Sequence, residues 1–316
     1  MRKATTLFIR VLCGTLIFAG LTSAADFPSK PITVISPYSA GGSMDIQLRG
    51  ILPHVGKELK TDLMIQNVTG ASGVLGYNRA YKAPPDGYTL VGSNIPGVII
   101  TEIGQASSAY KTKDFIPICA FARDSVLLVT RPETFQTFGD FVKMAKAQPI
   151  RMGVTGKGTT VHLAGLIMES ALGVKFNFIP FEGGSESVTA LAGKHIDSVL
   201  TIASSATSMI RGGYIKPLLI LAKERSPKYP AVPTPTGEGY DIPPFSNHTG
   251  VLAPPKVSPD RIKVLEAAFE TVLKNSAYLE WMEKGVAEFA PLLGKDYRNE
   301  IERMARIIDG YREFLK

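Results

Sequence analysis

Short apolar, β-branched runs alternate along this chain with longer stretches whose apolar residues recur at helical spacing. The runs Ile32–Ser36, Leu63–Gln66, Thr89–Gly92, Val126–Thr130, Arg151–Val154, Phe176–Ile179, Ser198–Ile202 and Lys216–Leu221 read as strands, and the stretches between them as crossover helices. That alternation predicts an α/β protein with mostly parallel sheets. Between the first two strands, Leu48, Ile51, Leu52, Val55 and Leu59 share one helical face, and Pro53 among them predicts a kink or a restart. Beyond about Leu252 the pattern is helical with no further strand, ending on a face of Ile301, Met304, Ile308, Tyr311 and Leu315.

Proline and glycine gather between Ser226 and Pro244, where periodicity is lost, and separate β/α series lie on either side of Phe115–Thr130. We therefore expect two lobes joined by crossing segments: residues 26–125 with 250–316 in the first, and 126–249 in the second. With 316 residues, 45% of them apolar, the chain is long enough for both lobes to fold by burial alone.

The first residues change the picture of where the protein works. Arg2, Lys3 and Arg10 precede or flank an apolar run, Val11 to Leu21, that ends in Thr22-Ser23-Ala24-Ala25. This is the layout of a secretory signal peptide, expected over residues 1–25. The run is shorter than a membrane span and contains Gly14, Thr15 and Gly20. Cys13 lies in the leader and Cys119 is the one cysteine after it, so no intramolecular disulfide is expected, and a Gram-negative periplasm suits such a chain.

The formal net charge is +7, and three of the positive groups sit in the leader. What remains is mildly basic, without a run of five basic residues or aromatic and basic interleaving, which argues against nucleic acid as a partner. His54, His162, His195 and His248 form no metal-ligand spacing, and Gly183-Gly184-Ser185-Glu186-Ser187 lacks the last glycine of a nucleophile elbow. No metal, cofactor or catalytic residue is expected, and a periplasmic hydrolase with a triad assembled in space is the enzymatic alternative.

Two glycine-rich loops carry the candidate chemistry. Pro37-Tyr38-Ser39-Ala40-Gly41-Gly42-Ser43-Met44-Asp45 follows a strand and opens a helix; its glycines let the backbone turn and present N–H groups, and Ser43 or Asp45 can cap the helix. Gly153-Val154-Thr155-Gly156-Lys157-Gly158-Thr159-Thr160-Val161-His162 repeats the arrangement in the second half. It is not a nucleotide-binding P-loop, because Gly158 rather than Ser or Thr follows Lys157. Each loop is a helix N-terminus fit for an anion, a carboxylate above all, at the end of a strand where open α/β sheets bind ligands. Each is also an ordinary strand-to-helix turn, so the pair carries the argument.

The chain resembles the substrate-binding proteins of tripartite tricarboxylate transporters, abundant in Bordetella-like bacteria. The likeness runs through Pro28–Ile32, Pro37–Asp45, Asn67 with Gly70–Gly73, and Pro85–Leu90. It continues through Gly156–Gly165, Phe181–Gly184, Arg225–Pro227, Val232–Thr234 and Gly250–Pro254. It implies a two-lobed periplasmic-binding-protein fold, type II-like, each lobe a mixed, mainly parallel sheet flanked by helices around a ligand cleft. It implies ligand contacts from Tyr38, Ser39, Ala40, Gly41, Gly42 and Ser43 in one lobe, and from Gly158, Thr159 and Thr160 in the other. Asp45 stands where relatives hold a ligand amine, or is a helix cap. Lys157 replaces a common serine and either meets a second anionic group or is solvated. His248, with Asn247 and Thr249 beside it, takes the place of an aromatic residue and is a polar contact, a pH-sensitive gate or a packing residue. The implied partners are a small organic carboxylate and inner-membrane transporter subunits, with a membrane sensor kinase as the alternative, and a monomer is the default.

Overall fold

The computed structural model describes residues 27–285 and 287–315; the leader read at residues 1–25 lies outside them. In chain order the elements begin with β1 (Ile32–Ser36), α1 (Ser43–Leu59), β2 (Leu63–Asn67), α2 (Val74–Tyr81), β3 (Thr89–Ile95), α3 (Gly97–Gly104), β4 (Ile116–Thr130) and α4 (Phe138–Ala147). There follow β5 (Ile150–Val154), α5 (Thr160–Leu172), β6 (Phe176–Pro180), α6 (Gly184–Ala192), β7 (Ser198–Ile202), α7 (Ala203–Arg211) and β8 (Lys216–Ile220). The chain ends with β9 (Ser246–Ala253), α8 (Pro259–Leu273), α9 (Ser276–Lys284), β10 (Glu288–Leu293) and α10 (Gly294–Asp309). No described helix is long and apolar enough to cross a membrane.

Two sheets share one strand. β2, β1 and β3 run parallel, β9 lies antiparallel beside β3, and the first part of β4 lies antiparallel beside β9. From Val126 the same strand enters a second sheet, antiparallel to β7 and β8, where β7, β5 and β6 are parallel. Antiparallel pairing occurs only where β4 or β9 takes part, because these strands run through the crossing while βα units build the outer part of each sheet. The switch falls between Ser125, which faces Ser246 in the first sheet, and Val126, which faces Ile202 in the second.

Three sequence expectations are corrected. β4 is a 15-residue strand and starts at Ile116, ten residues before the run read from sequence. Its first half, rich in small residues and containing Pro117, hides the strand pattern, and two register irregularities against β9 accommodate it. β10 is a strand where only helices were expected. Pro291 disguises it, and the register shifts between Phe289 and Leu292 so that the edge strand still pairs with β4. α1 runs unbroken through Pro53. Leu48, Ile51, Leu52 and Val55 on its face are fully buried, and their packing offsets the roughly 3 kcal/mol that an interior proline costs a helix.

The central pair of strands tolerates no added bulk. A Cβ at Gly250 would run into the Cys119 carbonyl oxygen and lie 2.8 Å from Tyr297 Oη, whose hydroxyl is 2.8 Å from Ser93 Oγ. We expect Gly250→Ala to destabilise the protein by about 2–3 kcal/mol through backbone displacement. Urea unfolding of the variant beside the parent checks this, and equal midpoints would refute the packing argument.

Candidate functional site

Three helices begin at one small cavity between the two sheets. α1, α6 and α7 start after Gly42, Gly183 and Ile202, and none of these positions supplies a side-chain cap. The cavity has a volume of about 40 Å³, room for roughly three water-sized groups. Tyr38, Gly42, Ser43 and Met44 line it from the first loop, and Asn94, Asn247 and Thr249 from β3 and β9. Thr155, Gly183, Gly184, Thr201, Ile202 and Ser205 line it from the second sheet. None of these side chains is charged.

The polar atoms around the cavity are incompletely paired. Thr201 Oγ1 and Asn247 Oδ1 are buried without a hydrogen-bond partner, as is Ser39 Oγ. Such atoms cost stability unless water or a ligand meets them. With no cation in the wall, the positive potential here comes from the helix N-termini, an arrangement that suits an anion.

Of the contacts expected in the first loop, Tyr38, Gly42 and Ser43 reach the cavity. Tyr38 Oη donates to Asn94 Oδ1 at 3.4 Å, the Ala40 carbonyl accepts from Ser185 Oγ at 3.1 Å across the lobes, and Ser43 N–H donates to Ser205 Oγ at 2.8 Å. Gly41, at φ +75°, makes the turn a side chain would strain. Asp45 points away from the cavity. Its carboxylate accepts from Gly41 N–H, Arg49 and Asn67 at 2.7–3.2 Å, which fills its acceptor sites and ties the loop to its own helix. Burial pulls this carboxyl upward, but those bonds outweigh it and hold it below the usual aspartate range.

The second loop is elsewhere. Lys157, Gly158, Thr159 and Thr160 do not line the cavity, and Thr155 is the residue of that segment that does. Thr159 caps α5 internally by accepting from His162 N–H, and Gly158 N–H donates to His162 Nδ1 at 3.1 Å. The Lys157 carbonyl accepts from Ser72 Oγ at 2.7 Å and from Gln105 Nε2, so this loop fastens one lobe to the other. The Phe181-Glu182-Gly183-Gly184 turn takes its place beside the cavity. The signal is present in the sequence, a Gly-Gly pair between strand and helix like the first loop, within a stretch that also carries the family resemblance.

His248 also needs correction. Successive residues of a strand face opposite sides, so Asn247 and Thr249 at the cavity turn His248 to the other face. There its Nδ1 lies 3.3 Å from Glu300 Oε1 of α10, and burial pushes its pKa down despite that carboxylate. Thr201, Ser205, Asn94 and Asn247 are site residues that sequence reasoning missed, because no local motif marks them.

A family model described as Tripartite tricarboxylate transporter family receptor matches residues 48–309. A curated relative, the UPF0065 protein in the TAR-I ttuE-ttuC' intergenic region of Agrobacterium vitis, is 29% identical over 313 residues, covering 95% of this chain and 90% of its own. A solved periplasmic transporter superposes with a TM-score of 0.86 at 25% identity, covering 92% of this chain and all of the other. MatC from Rhodopseudomonas palustris with bound malate (TM-score 0.82, 24% identity) and Rpa4515 from the same organism with adipate (0.86, 22%) each cover 92% of this chain and all of the first and 98% of the second. Their likeness shows the shared two-lobed periplasmic-binding-protein fold.

His162 gives the loop contact a pH limit. Burial, then the Lys157 charge, pushes its pKa from 6.5 down to about 4. As pH falls below 6.5 the unfolded chain takes the proton first, so this group's share of stability is lost between pH 6.5 and 4 and is constant below. We expect the stability difference between the parent and His162→Asn to shrink by about 2 kcal/mol from pH 7 to pH 5, read by urea unfolding at each pH.

Proposed function

Because this chain belongs to the tripartite tricarboxylate transporter receptor family, we propose that it captures a small organic carboxylate between its lobes in the periplasm and delivers it to the membrane subunits of a transporter. The observation that carries this reading is the convergence of three helix N-termini on a cavity whose wall has no charged side chain. A neutral solute would leave that potential unused, and a cation would be repelled by it.

Magnitudes assign the remaining contacts. A charge at a helix N-terminus gains about 0.3–1 kcal/mol, up to ~2 when partly buried. Three such termini reach at most about 6 kcal/mol, short of the roughly 8 kcal/mol of a micromolar complex. Hydrogen bonds from Thr201, Ser205 and Asn247 and contact with the ligand body supply the rest in this proposal. The relatives with malate and adipate bound support a carboxylate of four to six carbons, whose acid group sits in the cavity and whose body runs along the cleft. The contact set is Tyr38, Ser39, Ala40, Gly41, Gly42 and Ser43 from the first lobe, with Thr155, Gly183, Gly184, Thr201 and Ser205 opposite. We divide the lobes at the β4 and β9 crossings, and read transporter subunits rather than a sensor kinase as the partner because the matching family is one of transporter receptors. Ligand bridging the two lobes shifts the equilibrium toward the form in which they touch.

A thermal-shift screen against mono-, di- and tricarboxylates, aromatic acids and amino acids tests this. A ligand at a hundred times its Kd adds about 2.7 kcal/mol, which raises the melting temperature of a protein this size by roughly 5 °C. Folded protein that stays silent with every acid would overturn the carboxylate reading. Gly184→Ala places a Cβ 2.6 Å from Ser205 Oγ and 2.9 Å from Thr201 Oγ1. We expect it to weaken binding of any hit at least tenfold in calorimetry, and unchanged affinity would move the site elsewhere.

A further inference from the structure

Behind the cavity lies a buried acid that ligand capture by direct contact leaves without a role. Asp124 sits on β4 two residues before the strand passes from one sheet into the other, and is 1% exposed. Its Oδ2 accepts from Ser43 Oγ at 3.3 Å, in the first turn of α1, and from Ser204 N–H at 3.1 Å, in the first turn of α7. Ser204 Oγ bonds the same oxygen and lies 2.7 Å from Ser43 Oγ. Since α7 has no side-chain cap of its own, this carboxylate serves as one, while also holding α1 of the opposite lobe. Oδ1 is buried without a partner.

We propose that Asp124 is a positioning residue for ligand capture, a latch between α1 and α7 whose protonation favours contact of the two lobes. The inference rests on the reading of the lobes as a clamp. Separation of the lobes withdraws Ser204 and admits water to the carboxylate, whereas contact strips that water away. Burial pushes Asp124 up to about 6, above an exposed aspartate's 3.8, even though Ser204 and Ser43 pull it down. The sign follows from which form holds the proton more tightly: the contact form does, so acidification closes the lobes and a rise in pH through 6 opens them.

Among the described residues no other titratable side chain bonds the Asp124 carboxylate. From α1 and α7 it faces hydroxyls and an N–H, and β9 brings Asn247 opposite it. Tyr229, from the 226–232 segment, feels its charge and stays protonated in this range, and burial raises that tyrosine further. Arg211 lies at the other end of α7, and Arg123 points to the opposite face of β4, where it pairs with Glu288. His162 titrates near 4, below the window.

Single-molecule energy transfer between dyes at Glu58→Cys and Lys143→Cys, one exposed position on each lobe, reads the populations without ligand; the native Cys119 is fully buried. From the values 6 and 3.8, we expect the contact-to-open ratio of the parent to rise about tenfold from pH 8 to pH 5. Asp124→Asn, uncharged at every pH, should hold the acid-like ratio throughout. Ser204→Ala, which removes a bond to the ionised form, should move the midpoint above 6. A ratio independent of pH in the parent, or an Asp124→Asn variant that still responds tenfold, would overturn the latch. Since no ligand enters the measurement, its failure leaves the carboxylate reading standing, and a silent ligand screen leaves the latch standing.

Discussion

A cavity whose wall has no charged side chain can hold an anion only if the backbone supplies the positive end. Here the starts of α1, α6 and α7 supply it, none of them capped by the side chain of its own N-cap residue. Glycine at two of those starts is part of the same arrangement. A Cβ at Gly183 would run into Ser39 Oγ, and a Cβ at Gly42 would lie 3.3 Å from the Ser39 carbonyl oxygen. A side chain at Gly183 would therefore hold α6 away from the first loop across the cleft.

The crossing strands make that approach adjustable. β4 and β9 belong to the first sheet up to Ser125 and from Ser246, and the second sheet hangs from the continuation of β4. Among the described residues, bonds that span the lobes outside this crossing run from Ser43 to Ser204 and Ser205, from Ser204 to Asp124, from Ser185 to the Ala40 carbonyl, from Ser72 with Gln105 to the Lys157 carbonyl, from Arg211 to the Lys284 carbonyl and from Lys228 to the Glu283 carbonyl. Most of them join a polar side chain to a backbone group, contacts that suit surfaces that part and rejoin.

Several charged groups that resemble ligand contacts are structural supports. Asp45 is saturated by Arg49, Asn67 and the Gly41 N–H, so it fixes the shape of the first loop. His248 braces α10 through Glu300, and His162 braces the turn at Gly158. The uncharged residues Thr201, Ser205 and Asn247 reach the cavity instead, which follows from the cost of burying a charge where a hydroxyl or an amide suffices.

The order of strands and helices, the first loop and the resemblance to a receptor family were legible in the sequence, because each depends on residues close together along the chain. Apolar periodicity marks a strand or a helix locally, and a Gly-Gly turn between them marks its N–H groups. β10, the early half of β4 and the unbroken α1 were not legible, since Pro291, Pro117 and Pro53 contradict the local pattern and only pairing or burial against distant residues overrides it. Gly156–Thr160 and Gly183–Gly184 are both glycine-rich turns between a strand and a helix, and local sequence does not distinguish them. Lobe packing decides which of them meets the cavity and which is spent on Ser72 and Gln105. Asp124 has no motif at all. Its role exists only because the tertiary structure brings α1 and α7, 161 residues apart at Ser43 and Ser204, to a single carboxylate oxygen at the crossing between the sheets.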